Sequence, residues 1–257
     1  MNHKLILATL CCLPLIGHAE EAEKEQSLIT ASAELGMLYK TGNTKSADIK
    51  TGFDFKYEKD LWRSTVALDL LVKKTEKEDE NGDEHFDTTD QKWTFDSKTN
   101  YTLDTNSKNY VYGAVSYEDN RFSGFDNQSS VSAGWGREWF KNEKASFFAD
   151  IGPGYKRDVT AATEDMDSET KSAFIIQAQA LYLRKINEHV EFKQTLSAKY
   201  APKSGENSKY KAETSITTKL IETLALKFAF IIDHNTKVDD GVENTDTQTA
   251  LTLVYSF

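Results

Sequence analysis

The sequence predicts an all-β chain, a twelve-stranded antiparallel transmembrane β-barrel of the bacterial outer membrane with short periplasmic turns and longer extracellular loops. Three observations carry that expectation. Apolar and polar residues alternate with a period of two over twelve long segments, the connections between segments alternate in length, and the chain closes on an aromatic carboxy-terminus. A period of two is the signature of a strand with two unlike faces.

The segments fall near 28–40, 45–58, 61–74, 89–103, 108–119, 128–140, 144–157, 170–185, 188–200, 208–221, 223–235 and 245–257. The first sets Glu34 against Tyr39, and the second opposes Ile49, Phe53, Phe55 and Tyr57 to Lys50, Asp54, Lys56 and Glu58. In the third, Trp62, Val66, Leu68, Leu70 and Val72 face away from Arg63, Asp69 and Lys73, and the fourth separates Trp93 and Tyr101 from Lys92, Asp96 and Lys98. The fifth carries Tyr117 outward. In the sixth, Trp139 lies opposite Glu138 and the pair Gly134 and Gly136, with Arg137 the one charge out of place on an apolar face. The seventh sets Tyr155 against Asp150, Gly152 and Gly154; Pro153, which cannot donate to a ladder, predicts a bulge or local break there. The eighth shows Phe174 and Tyr182 on its apolar face. In the ninth, Val190, Phe192, Leu196, Ala198 and Tyr200 oppose Glu191, Lys193, Thr195, Ser197 and Lys199. The tenth divides Tyr210, Ala212, Ile216 and Leu220 from Lys211, Glu213 and Lys219, and the eleventh divides Phe228 from Lys227 and Asp233. The last is the stripe Leu251, Leu253, Tyr255, Phe257.

Such alternation fits a soluble barrel with its apolar face inward or a membrane barrel with that face turned to lipid. Length decides between them. A tilted strand needs about 9–11 residues to cross the hydrocarbon, whereas strands of soluble proteins peak near 5 or 6, and these segments are long enough to span. The turns around 59–60, 104–107, 141–143, 187 and 222 are short, whereas 75–88, 159–169, 202–207 and 236–244 are long and more acidic, the asymmetry of an outer-membrane barrel. Threaded up and down, the strands sort the outward aromatics into two belts, with Tyr57, Trp62 and Trp139 near the periplasmic ends and Tyr39, Trp93, Tyr155 and Tyr200 near the outer ends. A misreading of Pro153 or of a long loop would make the count ten or fourteen.

Composition narrows the classes further. With 28% charged residues and an apolar run limited to Leu5–Ile16, the chain has no segment able to span as a helix. Lys4, that run and Gly17-His18-Ala19 form the pattern of a cleaved export signal over residues 1–19, followed by a charged tail over 20–27 and the barrel over 28–257. Cys11 and Cys12 fall inside the signal, and neither follows the small residues that lipid attachment wants, so the mature chain has no thiol for a disulfide, a nucleophile or a metal. Its net charge, -10 for the whole chain and -11 without Lys4, excludes nucleic acid as a partner.

Several stretches together resemble one family: Gly42-Asn43-Thr44-Lys45-Ser46, Tyr57 through Arg63, Tyr117 through Gly124, Gly152-Pro153-Gly154-Tyr155-Lys156-Arg157 and the closing Leu253-Val254-Tyr255-Ser256-Phe257. They are similar, in order and over nearly the whole mature chain, to the YdiY-like salt-induced outer-membrane proteins of Gram-negative bacteria. The resemblance implies an outer-membrane barrel and brings no activity, ligand or catalytic residue with it.

Chemistry is sparse. The mature chain holds His85, His189 and His234, and the pair Asp233-His234 is the one local hint of a hydrolase. The acidic stretches Glu76–Glu84 and Glu164–Glu169 could hold divalent cations or bridge lipopolysaccharide phosphates through them, but their spacing is not that of an EF-hand, and solvated loops are the simpler reading. No catalytic residue, metal or cofactor is assigned. The expected site is the lumen, with Lys50, Lys56, Arg63, Lys73, Lys98, Lys193, Lys199, Lys211, Lys219 and Lys227 facing Asp54, Asp69, Asp96, Asp150, Glu191 and Glu213. The signs nearly cancel, so two functions compete: a narrow polar channel for ions or small solutes, or a structural envelope barrel whose ion pairs close the lumen and whose loops meet lipopolysaccharide. The expected partners are outer-membrane lipid and lipopolysaccharide, together with the barrel assembly machinery, which reads the stripe Leu251, Leu253, Tyr255 and Phe257.

Overall fold

The computed structural model describes residues 28–40, 46–78, 84–105, 107–120, 124–162, 167–238 and 243–257. The segments assigned to the export signal and the tail lie outside these residues. Twelve antiparallel strands close into one barrel: β1 (Ile29–Lys40), β2 (Ser46–Lys59), β3 (Trp62–Glu78), β4 (Glu84–Thr102), β5 (Asn109–Asn120), β6 (Phe125–Lys141), β7 (Ala145–Thr160), β8 (Thr170–Lys185), β9 (Val190–Tyr200), β10 (Lys209–Lys219), β11 (Leu224–Asn235) and β12 (Thr245–Ser256). Each strand pairs with its sequence neighbours, and β1 meets β12 through Ser32 opposite Ser256 to Leu35 opposite Leu253. That seam is extended by the Phe257 amide, which donates to the Ala31 carbonyl at 2.9 Å. Closure joins the first strand to the last, as a sheet that crosses a bilayer requires, although the β1–β12 ladder has only four residue pairs where β1–β2 has twelve.

The faces sort as the alternation predicts. Leu68, Phe228, Leu251 and Leu253 are exposed on the outer wall, while Glu34, Asp150, Lys156 and Asp233 are buried inside. Large apolar side chains outside and charges inside is the inversion of a soluble core that lipid requires. Phe228 sits in mid-strand, paired with Ile216 and Leu251. Phe228→Lys and Leu253→Lys are each expected to cost about 2–4 kcal/mol, the penalty of a cation at the bilayer midplane, measured by urea unfolding from lipid vesicles. Wild-type stability of both variants would contradict a lipid-facing wall.

Short turns gather at the end where β1 begins and β12 ends. Asp60, in the two-residue turn between β2 and β3, adopts a left-handed φ of 54°, which a short polar side chain tolerates. Two other turns share one device. The Asn142 side-chain oxygen accepts from the amides of Lys144 and Ala145 at 3.0 and 2.9 Å, and that of Asn187 accepts from His189 and Val190 at 2.8 and 2.9 Å.

Two local expectations are corrected and a third holds. Pro153 does not bulge β7, which is continuous and keeps one register with β6 on both sides of it, Ser132 opposite Gly154 and Trp135 opposite Ile151, but the β6–β7 pairing is interrupted at Pro153 and Gly152, the local break expected of a residue without an amide hydrogen. Bulges instead occur at Lys73/Lys74, Asp119/Asn120 and near the two ends of β6. The stretch 75–88, expected as a loop, is mostly strand: Thr75 to Glu78 pair with Asp87 to Glu84, so the β3–β4 hairpin is the longest in the barrel. Arg137 does lie on the outer wall, and its guanidinium rests over the Trp139 ring at 5.7 Å. A cation at the membrane interface is tolerated where it can reach headgroups and stack on an aromatic face.

Candidate functional site: the lumen and its two constrictions

Among the described residues no strand or helix enters the bore, and only side chains project into it. Those side chains define two cavities, one of about 700 Å³ in the outer and central lumen and one of about 300 Å³ at the periplasmic end, with no lining residue in common.

Between them lies a septum built on Asp150 of β7. Its Oδ2 receives the Lys98 ammonium at 2.5 Å and the Tyr110 hydroxyl at 3.0 Å, and Lys98 also donates to the Gln179 side-chain oxygen at 2.8 Å. The same ammonium sits over the Tyr112 ring at 4.6 Å. β4, β5, β7 and β8 thus meet around one carboxylate. Below it, Arg63 of β3 lies over the Phe148 ring of β7 at 5.1 Å and donates through Nε to Glu58 at 2.5 Å, which Lys56 also approaches at 2.9 Å. Gly136 provides the seat for Tyr110, since a Cβ there would lie 2.3 Å from the Tyr110 ring.

The second constriction spans the outer third. Lys92 of β4 reaches Asp233 of β11 at 2.9 Å and Glu118 of β5 at 3.3 Å, and Lys209 of β10 reaches Glu118 at 2.7 Å and the Gln128 side-chain oxygen at 2.9 Å. In a twelve-stranded ring β4 and β5 stand across from β10 and β11, so these are bridges over the bore. Lys199 of β9 adds another to the Ser116 hydroxyl of β5. Lys156 and Asp158 pair with one another on β7. Closer to β1, Lys227 bridges Glu34 at 2.8 Å and Glu213 at 3.7 Å.

Of the sixteen lumen residues expected from the sequence, Lys50, Asp54, Lys56, Asp69, Asp96, Lys98, Glu191, Lys193, Lys199, Lys211, Glu213 and Lys227 line the larger cavity, Arg63 lines the smaller, and Asp150 anchors the septum. Lys73 and Lys219 line neither. Lys219 is the exposed last residue of β10, and Lys73, also exposed, stands beside the bulge with β4, where its charge acts on Asp90. Sequence reasoning missed Glu118, Lys156, Asp158 and Lys209. Strict parity from Tyr117, Tyr155 and Tyr210 would have placed all four. It also missed Tyr110 and Tyr112, because an aromatic side chain in an alternating strand reads as lipid-facing unless a hydroxyl partner inside the bore is known.

Of the belt aromatics, Trp62 opens β3 and Tyr200 closes β9, whereas Trp93 and Tyr155 lie within β4 and β7. Trp62 packs on Tyr101 with ring centroids 4.8 Å apart and Trp93 on Tyr117 at 4.7 Å, while Trp139, Tyr155 and Tyr200 are exposed on the outer wall and Tyr57 is half-buried. The Tyr39 side chain lies outside the described part. Asp233 and His234 do not form a pair: Asp233 faces the lumen on Lys92, and His234 faces outward with its Nδ1 2.8 Å from the Thr245 hydroxyl. Successive residues of a strand point to opposite faces. The core of the acidic loops at 79–83 and 163–166 lies outside the described residues, and among the described residues no group of three metal-ligating side chains comes together.

A closed antiparallel barrel with an apolar, aromatic-belted exterior and a charged interior is an outer-membrane β-barrel. Residues 33–257 match the family model described as protein of unknown function, DUF481, and the chain belongs to that family. It is 25% identical over 224 residues to uncharacterized protein YdiY of Escherichia coli (strain K12), a match covering 86% of this chain and 80% of that protein. Among solved structures it is similar to the translocator domain of autotransporter NalP from Neisseria meningitidis, with a TM-score of 0.47 at 10% identity over 88% of this chain and 87% of that one. A NanC porin structure gives a TM-score of 0.44 at 10% identity over 88% and 98%.

Proposed function

We propose that this barrel is a narrow polar channel for ions or small solutes. The observation that supports it best is the cavity of about 700 Å³, lined by ten lysines and nine carboxylates and interrupted, among the described residues, by side chains alone. Side chains can rotate aside on a fast timescale, whereas a folded plug must move as a body. Twelve strands lie between the eight of filled barrels and the sixteen of open porins, so the constrictions set the conductance.

Reconstitution in planar bilayers tests this reading. The wild type is expected to give small stepwise currents, and the triple variant Lys92→Met, Glu118→Gln, Asp233→Asn, which removes the outer bridges, is expected to raise the unit conductance several-fold. A second reading, a structural barrel with a locked lumen and loops against lipopolysaccharide, is favoured by the cross-bore bridges themselves. An electrically silent, correctly folded wild type and triple variant would establish it over the channel.

Export through a cleaved signal at residues 1–19 and recognition of β12 by the barrel assembly machinery belong to the same proposal. Leu251, Leu253, Tyr255 and Phe257 share the outward face, with Tyr255 and Phe257 in edge contact at 4.9 Å. Deleting Phe257 or replacing it with Lys is expected to lower the amount of heat-modifiable barrel in outer-membrane fractions, and wild-type levels of both variants would refute the signal.

A further inference from the structure

The charges of the larger cavity divide into those that are paired and those that are not, and the unpaired ones sort by wall. Asp54 of β2, Asp69 of β3 and Asp96 of β4 line the cavity, and among the described residues none of them makes an ion pair within 4 Å. Their positions are adjacent: Ala67 pairs with both Asp54 and Asp96, and Asp69 is the next inward residue of β3. Across the bore, Lys193 of β9 and Lys211 of β10 line the same cavity, likewise without an ion pair, and Lys199 is held only by the Ser116 hydroxyl. Two unpaired charges break the sorting. Lys50 stands on the acidic wall, where its charge acts on Glu213 opposite, and Glu191 stands at the periplasmic start of β9.

The two walls are within electrostatic reach of one another, because Lys193 acts on Asp54, and Lys199 and Lys211 act on Asp96, while on their own side Lys193 and Lys211 also act on Glu213, and Asp233 acts on Lys211. Charges that face each other without touching maintain a field across the water between them, focused by the low-dielectric wall. A simple cation is drawn to one wall and repelled by the other, and so is a simple anion. A molecule with an ammonium at one end and a carboxylate at the other gains at both walls when it lies across the bore.

We infer that the larger cavity is a binding site for small zwitterions, amino acids or short peptides, with the ammonium on the Asp54, Asp69 and Asp96 wall and the carboxylate on Lys193 and Lys211. The assignment deepens the channel reading and rests on the lumen being reachable from solution.

Saturation-transfer NMR on the folded barrel in detergent, with triglycine as probe, tests it against three blocked forms: the N-acetylated anion, the amidated cation and the doubly blocked neutral peptide. The zwitterion is expected to receive at least several-fold more saturation than each blocked form. Asp54→Asn/Asp69→Asn/Asp96→Asn is expected to abolish that preference, and Lys193→Gln/Lys211→Gln, which changes the other wall, to abolish it independently, so that failure of one variant to fold leaves the other. Equal saturation of all four peptides, no saturation of any, or an unchanged preference in a folded variant overturns the assignment. Bilayer currents separate it from the channel reading: triglycine preference with no current refutes the channel and keeps the site, whereas current with no preference refutes the site and keeps the channel.

Discussion

Asp150→Ala is expected to destabilise the folded barrel by about 3–5 kcal/mol, the cost of leaving a buried charge without its partner. Asp150 is 7% exposed, and its Oδ2 alone receives both Lys98 and Tyr110. Removing the carboxylate strands the Lys98 ammonium, whose remaining contacts are the Gln179 oxygen and the Tyr112 ring, and neither carries a full negative charge. The double variant Lys98→Met/Asp150→Leu removes both charges and is expected to recover most of the loss, because exchanging a buried pair for apolar side chains is often neutral or better. Tyr110→Phe, which deletes one hydrogen bond to a buried carboxylate, is expected to cost about 1.5–3 kcal/mol. Urea unfolding from lipid vesicles, followed by tryptophan fluorescence, measures all three. A double variant as unstable as Asp150→Ala would mean that the septum is held by packing rather than by charge balance.

Gly152→Ala is expected to be as damaging, at about 3 kcal/mol or more, through the backbone. A Cβ on Gly152 would lie 2.1 Å from the Ala133 carbonyl oxygen and 2.6 Å from the Gly134 Cα, and one on Gly134 would lie 2.3 Å from the Ile151 carbonyl oxygen. Overpacking in a tight interior costs about 1–3 kcal/mol when side chains can yield. Here the obstacle is main chain on both strands, so β6 and β7 must separate and lose the coil that brings them together. Gly113→Ala is the control, since a Cβ there meets nothing within 4 Å, and it is expected to assemble normally. If Gly152→Ala folds and unfolds like the wild type, the close crossing of β6 and β7 is not needed for closure. The sequence shows Gly134, Gly136, Gly152 and Gly154 on the polar face and leaves open whether they widen the lumen or permit coiling; Gly134 and Gly152 serve the close crossing, whereas Gly136 makes room for one ring.

Most of the barrel was legible before any coordinates, because a membrane strand must satisfy two solvents at once. Lipid on one side and a polar bore on the other force a period of two, and each strand must be long enough to cross the hydrocarbon. The alternation in β2, β3, β9 and β10 therefore sets each side chain's face directly, and the strand count follows. The expectation failed where those constraints lapse. Beyond the membrane the β3–β4 hairpin continues through charged residues, which carry no lipid-facing stripe to mark them as strand. Tyr110 and Tyr112 obey the alternation in position and break it in chemistry, because their hydroxyls allow an aromatic ring on the polar face. Pro153 reads as a bulge or break on local grounds, and it interrupts the pairing with β6 yet leaves β7 continuous and its register unshifted.

The sequence by itself determined which residues face the bore, since facing depends only on parity within a strand. Which of them meet was decided by tertiary structure alone. Lys92 and Asp233 are 141 residues apart, Lys98 and Asp150 are 52 apart, and Lys227 and Glu34 are 193 apart, with nothing in their local sequences to distinguish them from Lys193 or Asp54, which stay unpaired. The stagger accumulated strand by strand, together with the closure of β1 on β12, sets the height at which each side chain enters the lumen and what stands opposite it. Parity is a property of one strand, whereas height in the bore is a sum over all twelve.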